Sequence, residues 1–202
     1  MIEHVYNLGN QINQELLVSD NFETPDYQNL LIVGMGGSGV AGDILKLVIN
    51  KYSSINVEVS KTNGIPPHLL KAKPKCLFLS YSGNTEETIS AVKEALEHDL
   101  DWFAVASGGE LLSIAEENNK NYIKVPTGLQ PRAALGHMAR AVLHFIPETI
   151  KFDFKTSCDD VQIHINGLLD ENSQSDILDL SKSLATQPKG KRNSGNGYLY
   201  RD

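Results

Sequence analysis

Hydrophobic positions along this chain change their period several times, and each change marks an element. Leu8, Ile12, Leu16 and Leu17 recur at helical spacing, which predicts an amphipathic helix over residues 8–18. Residues 20–27, which include Pro25, read as a connector. Leu30-Leu-Ile-Val33 is a short unbroken apolar run, the mark of a strand buried on both faces. It leads into Gly34-Met-Gly-Gly-Ser-Gly39, after which Val40, Ile44, Leu47 and Val48 form one stripe on a helix ending near Lys51.

The unit of strand, turn and helix then recurs. Residues 55–59 alternate as a second strand. Residues 76–79 make a third, followed by Ser80-Tyr-Ser-Gly-Asn-Thr85 and a helix over 86–98. Residues 102–105 make a fourth, followed by Ser107-Gly-Gly109 and a helix over 111–118. Residues 122–125 make a fifth, with a loop over 126–131 and a helix over 133–145. Strands separated by helices of this length predict a parallel sheet covered on both faces, a doubly wound α/β fold. After Pro147 the pattern weakens. Residues 161–169 and 177–184 read as more polar helices. Residues 189–202, rich in Gly, Asn and charge, read as the opening of something that stops too soon.

Composition narrows the function. At 41% hydrophobic and 21% charged over 202 residues, the chain has enough apolar material for a core. Its apolar runs are too short to span a bilayer. Met1-Ile-Glu-His-Val lacks the basic and apolar stretches of a signal peptide. Cys76 and Cys158 make neither a disulfide framework nor a zinc site, and a reduced, cytoplasmic protein is expected. The formal net charge of −7 argues against non-specific nucleic-acid binding, which needs a basic stripe. Only four arginines occur: Arg132, Arg140, Arg192 and Arg201. An anion bound here must be met by backbone amides, hydroxyls and helix ends.

Three turns fall at the carboxyl edge of the predicted sheet, where open α/β sheets bind ligands. Gly34-Met-Gly-Gly-Ser-Gly39 matches G-x-G-x-x-G between strand and helix, so a dinucleotide, another phosphate ligand, or a ligand-free turn all fit it. A dinucleotide also wants an acidic residue at the end of the second strand. Glu58 is near, but Ser60-Lys61-Thr62 holds that end. Ser80-Tyr-Ser-Gly-Asn-Thr85 sets three hydroxyls around a glycine at a second helix N-terminus. Capping by Ser82, Asn84 or Thr85 accounts for one of them. A phosphate, which needs many donors, accounts for all three. Pro131-Arg-Ala-Ala-Leu-Gly136 opens a third helix with a forked, permanently charged donor, Arg132, which taken alone reads rather as one side of a surface ion pair.

Together, Gly34-Met-Gly-Gly-Ser-Gly-Val-Ala-Gly-Asp43, Ser80-Tyr-Ser-Gly-Asn-Thr-Glu-Glu-Thr88, Ser107-Gly-Gly109 and Pro131-Arg-Ala-Ala-Leu-Gly136 resemble the sugar isomerase (SIS) domain, and more narrowly the bifunctional phosphoglucose/phosphomannose isomerases. The resemblance covers about residues 1–185. It implies a flavodoxin-like, five-stranded SIS domain over 27–150, preceded by a helix and connector over 1–26. Residues 151–202 would then form a helical connector and the truncated start of a second SIS domain. It implies aldose–ketose interconversion of glucose 6-phosphate or mannose 6-phosphate and fructose 6-phosphate through a cis-enediolate. The hydroxyls of Ser38, Ser80, Ser82 and Thr85 match the family's phosphate ligands, Gly36 and Gly37 its close-approach glycines, and Arg132 the arginine beside the enediolate. Neither a metal nor an organic cofactor is implied, and the implied state is a homodimer. The family's base glutamate, ring-opening histidine and lysine come from the second domain, and no residue here matches them. His137 stands where an aromatic is expected. A chain without the base also suits a non-catalytic sugar-phosphate sensor.

Overall fold

The structure, a computed structural model, describes residues 7–20, 22 and 26–168. The helix expected over 177–184 and the segment 189–202 lie outside the described residues. The chain divides into two units, Met1–Ile165 and Asn166–Asp202. The sheet and the helices packed on it belong to the first; of the described residues, 166–168 fall in the second.

In chain order the elements are α1 (Leu8–Asn13), β1 (Leu17–Val18), β2 (Asn29–Gly34), α2 (Gly36–Tyr52), β3 (Asn56–Ser60), α3 (Pro67–Ala72), β4 (Lys75–Leu79), α4 (Glu86–Glu97), β5 (Trp102–Ala106), α5 (Gly109–Glu117) and β6 (Tyr122–Lys124). A 3-10 turn (Pro131–Ala134), α6 (Leu135–Val142), a second 3-10 turn (Leu143–Phe145) and α7 (Phe154–Leu168) complete them. No described helix is long and apolar enough to cross a membrane.

The fold is the doubly wound α/β sandwich that the sequence predicts. All five expected strands are present and run parallel, in the spatial order β3-β2-β4-β5-β6. The sheet also has a sixth strand. β1 pairs antiparallel with β6, Leu17 opposite Lys124 and Val18 opposite Ile123. The helix expected over 8–18 therefore stops at Asn13, and Gln14 turns extended with ψ 139°. Leu16 still packs against the core, but through a chain that has left the helix. Two residues are too few to show a period, so only the pairing with β6 defines β1.

Alternation along the strands builds two cores. Leu30 and Ile32 join Leu77, Leu79, Phe103 and Val105 on the face covered by α2 and α6. Leu31 and Val33 join Phe78, Trp102 and Ala104 on the face covered by α4 and α5. Each fully buried Leu, Ile or Phe contributes about 1.5–3 kcal/mol. Cys76 is one of these core residues, and burial first, then Asp101, pushes its thiol up to about 12.

The strand order reverses between β2 and β4. The chain passes from β2 to β3 on one side, while β4 lies on the other. A crevice opens at such a switch point, outside the carboxyl ends of the strands. Here it lies between the turn after β2 and the turn after β4.

Helix α2 presses on the sheet beside this crevice. A Cβ at Gly42 would lie 2.8 Å from Ile32 Cγ2 and 3.4 Å from Val59 Cγ1. In an open helix Gly→Ala stabilises by about 1 kcal/mol. At this contact the sign reverses, and Gly42→Ala is expected to destabilise by about 1–3 kcal/mol through overpacking. Urea unfolding followed by circular dichroism measures it as a lower midpoint at unchanged slope.

Candidate functional site

The crevice holds a cleft of about 570 Å³, within the range of small-ligand pockets. Met35, Gly36, Gly37 and Ser38 line it from the first turn, Tyr81, Ser82 and Thr85 from the second, and Gln130, Pro131 and Arg132 from the third. The three turns singled out from the sequence therefore meet in one place.

The first turn is shaped for an anion. Gly36 takes φ +51°, a left-handed conformation that suits glycine, and open space lies where its Cβ would be. Met35, at the helix cap, makes no side-chain cap bond, and the first turn of α2 has no acidic residue. The first backbone bond to close the helix is Gly39 N–H to the Met35 carbonyl, at 3.1 Å. The amides of Gly36, Gly37 and Ser38 precede it and have no partner within the helix, at the positive end of its dipole.

The second turn is held by its neighbours. The Tyr81 amide donates to Ser38 Oγ at 3.1 Å, which joins the two turns across the crevice. Ser38 has then used an acceptor site and keeps its hydroxyl proton. Ser80 is buried and does not line the cleft. Its Oγ accepts from the Gly83 amide at 3.1 Å and lies 2.8 Å from Thr85 Oγ1. Donation from Ser80 to Thr85 leaves the Thr85 proton free for the cleft. Ser80 is thus placed one layer behind Thr85 as its support, while Ser38, Ser82 and Thr85 reach the surface of the cleft.

None of the three candidate caps serves helix α4. Thr85 stands at its cap position without a side-chain cap bond. Asn84 Oδ1 instead accepts from the Glu110 amide at 2.9 Å, and the Gly83 carbonyl accepts from Leu111 N–H at 2.9 Å, so this turn caps α5. The N-terminus of α4 stays open. Glu86 and Glu87, in its first turn, do not line the cleft.

Arg132 sits on the 3-10 turn Pro131–Ala134, exposed, and is the one charged side chain among the described residues that line the cleft. Two side chains that sequence reasoning missed hold its segment. Tyr81 Oη donates to the Pro126 carbonyl at 2.9 Å and accepts from Leu129 N–H at 3.0 Å. Gln11 Nε2 donates to the Ala133 carbonyl at 2.9 Å, and its Oε1 accepts from Gly136 N–H at 3.1 Å. Tyr81 stands inside the Ser-Tyr-Ser-Gly motif, a signal that could have found it. Gln11, a polar residue on a helix read for its leucines, gave none.

His137 is 3% exposed and does not line the cleft. Among the described residues no group of three or more His, Cys, Asp or Glu side chains could hold a metal ion. The dinucleotide reading finds no acidic group at the end of β3. Glu58 is paired two residues before that end, with His68 Nε2 at 3.6 Å, while Lys61 beyond it is paired with Asp43. A second cavity, about 420 Å³, is lined chiefly by apolar side chains, Ile44, Leu47, Val48 and Phe152 among them, with Lys51 at its edge.

The SIS domain family model matches residues 26–127. The chain belongs to the SIS domain family. It is 37% identical over 141 residues to a bifunctional phosphoglucose/phosphomannose isomerase of Caldicellulosiruptor bescii, a match covering 68% of this chain and 41% of that protein. It is 36% identical over 133 residues to the enzyme of the same name from Thermoplasma acidophilum, covering 66% and 40%. The chain thus spans about two-fifths of the length of these curated relatives. A crystal structure of a hypothetical protein from Thermus thermophilus shares the fold, with TM-score 0.63 and 17% identity over 91% of this chain and 46% of that one. The matched SIS residues carry the first two turns of the cleft, and Arg132 lies beyond them.

The segment carrying Arg132 continues into the buried His137 and the half-buried His144, with a consequence for acid stability. Burial holds His137 below its ordinary value, and burial, then Arg140, pushes His144 down to about 4. His144 therefore stays neutral in the folded chain down to about pH 4, while in the unfolded chain it takes up a proton near pH 6.5. Below that pH the unfolded state binds more protons, so stability falls as pH drops from about 6.5 towards 4. Thermal unfolding between pH 7.5 and 4.5 is expected to show this decline, with a shallower slope in His144→Gln.

Proposed function

We propose that this chain supplies the phosphate cradle and the enediolate-facing cation of a sugar-phosphate isomerase acting on glucose 6-phosphate or mannose 6-phosphate and fructose 6-phosphate. The convergence of uncapped α2 amides, the Ser38, Ser82 and Thr85 hydroxyls and Arg132 on one cleft carries this reading. Gly36, Gly37 and Ser38 offer amides to the phosphate oxygens, the three hydroxyls add donors from other directions, and Ser80 orients Thr85. Gly37 keeps the approach narrow, since a Cβ there would lie 3.4 Å from the Pro131 carbonyl oxygen.

With the phosphate fixed, Arg132 faces the C1–C2 end of the open-chain sugar. A base removes the proton from one of these carbons, the electron pair moves to the carbonyl oxygen, and a cis-enediolate forms. Arg132 stabilises that charge as it develops, where an oriented cation counts most. Passage of a proton from the neighbouring hydroxyl to that oxygen, as the hydroxyl becomes the new carbonyl, and return of the abstracted proton to the other carbon complete the interconversion. None of the described residues lining the cleft is a carboxylate or a histidine. The resemblance assigns the base, the ring-opening histidine and a lysine to a second SIS domain. On this reading residues 27–150 are the first SIS domain, 1–26 its helix and connector, and 151–202 lead towards the second. The proposed setting is a cytoplasmic homodimer.

A cleft without a base also favours a second reading, a non-catalytic sugar-phosphate sensor. Turnover separates the two. The 202-residue chain is expected to bind fructose 6-phosphate without converting it. Addition of the second domain restores conversion for a half-enzyme and does nothing for a sensor. Ser82→Ala and Thr85→Ala are each expected to weaken binding by about 1.5–3 kcal/mol, as loss of a hydrogen bond to a charged group does. Inorganic phosphate should compete and fructose should not. Undiminished affinity in the double variant, by isothermal titration, would sink the phosphate assignment.

A further inference from the structure

Helix α6 begins without a cap of its own. Ala134 stands at its cap position and makes no side-chain bond. An early helical amide needs an acceptor, and a buried one is costly to leave without. Gln11 supplies it from more than a hundred residues away. Its side chain is 1% exposed and spends both ends of its amide on this segment, donating to Ala133 O at 2.9 Å and accepting from Gly136 N–H at 3.1 Å. The two atoms it grips lie on the segment that begins at Arg132. Gly136 makes the grip possible, because a Cβ there would lie 2.6 Å from Gln11 Cβ and 3.0 Å from Leu8 Cδ1.

We infer that Gln11 is a positioning residue for Arg132, so that the N-terminal helix sets where the cation meets the reacting end of the sugar. This rests on the reading of the cleft proposed above. Upstream, Tyr81 fixes the same segment at Pro126 and Leu129. Tyr81 also lines the cleft, whereas Gln11 does not. Arg132 is exposed between these two anchors, on a short 3-10 turn with no side-chain cap. Release of the downstream anchor frees the turn to pivot while leaving the phosphate cradle, on α2 and α4, in place.

Two ligands separate the ends of the site. 5-Phospho-D-arabinonate carries a carboxylate where the enediolate charge develops, and D-arabinitol 5-phosphate has the same phosphate and no carboxylate. The unsubstituted chain is expected to prefer the first. Gln11→Met, similar in length and without hydrogen bonds, should lower affinity for the arabinonate about tenfold, as misplacing one charge-assisted bond does. Affinity for the arabinitol phosphate should stay within about twofold, as at an independent site. In an Arg132→Met background Gln11→Met should add nothing. Gln11→Glu accepts from Gly136 but, ionised, cannot donate to Ala133, and should fall between; it also serves if Gln11→Met fails to fold.

Equal weakening of both ligands, or an effect that adds fully to Arg132→Met, would show a role in general stability and overturn the inference. So would a carboxylate preference that both Gln11 variants leave intact, and then the reading of the cleft would stand. If the unsubstituted chain bound neither ligand, the proposed function would fall and this inference with it.

Discussion

Everything distinctive in this molecule stems from the reversal of strand order between β2 and β4. Two neighbouring parallel strands send their turns apart, and the sheet edge between them has no chain of its own to fill it. The Tyr81 amide reaches across and donates to Ser38 Oγ. That one bond ties the glycine turn to the hydroxyl turn and fixes the distance between their helix ends. It uses the backbone of one turn and the side chain of the other, so neither can shift alone.

The electrostatics come from the same geometry. A chain of formal charge −7 does not gather anions by its overall field. The lining of the cleft offers local groups instead: amides at the start of α2 with no partner within the helix, the hydroxyls of Ser38, Ser82 and Thr85, and the Arg132 guanidinium. Such groups act over short distances and discriminate by shape. Ser80 shows how this is arranged. A hydroxyl that binds a ligand must have its proton aimed, and Ser80, held by the Gly83 amide behind it, is placed to aim that of Thr85.

What the sequence discloses depends on the range of the interaction involved. The five parallel strands are legible because burial on both faces imposes continuous apolar runs such as Leu30 to Val33. The three turns are legible because glycines and hydroxyls are confined there by local backbone needs. β1 is not, since its two residues are defined by a partner more than a hundred positions away. Asn84 reads as a candidate cap for its own helix, but it caps the next one, a choice made by the contact between the Gly83 and Gly108 turns. Ser80 groups with the cleft hydroxyls in the sequence because spacing gives direction but not depth. Gln11 is invisible there, because a single polar residue on a short amphipathic helix carries no pattern.

The matched family region ends before Arg132, and this boundary has a physical meaning. The matched residues carry the switch point and the first two turns of the cleft. The third turn leads into α6 and is held from α1, both outside that region. Tyr81, itself part of the second turn, holds the upstream end of this segment and Gln11 the downstream end, so only the downstream support is separate from the turns that line the cleft. Separate support of this kind suits chemistry in which one end of a substrate stays fixed while charge moves at the other. The cost is that the cation depends on contacts of very long sequence separation, and a glycine at position 136 is needed to let them close.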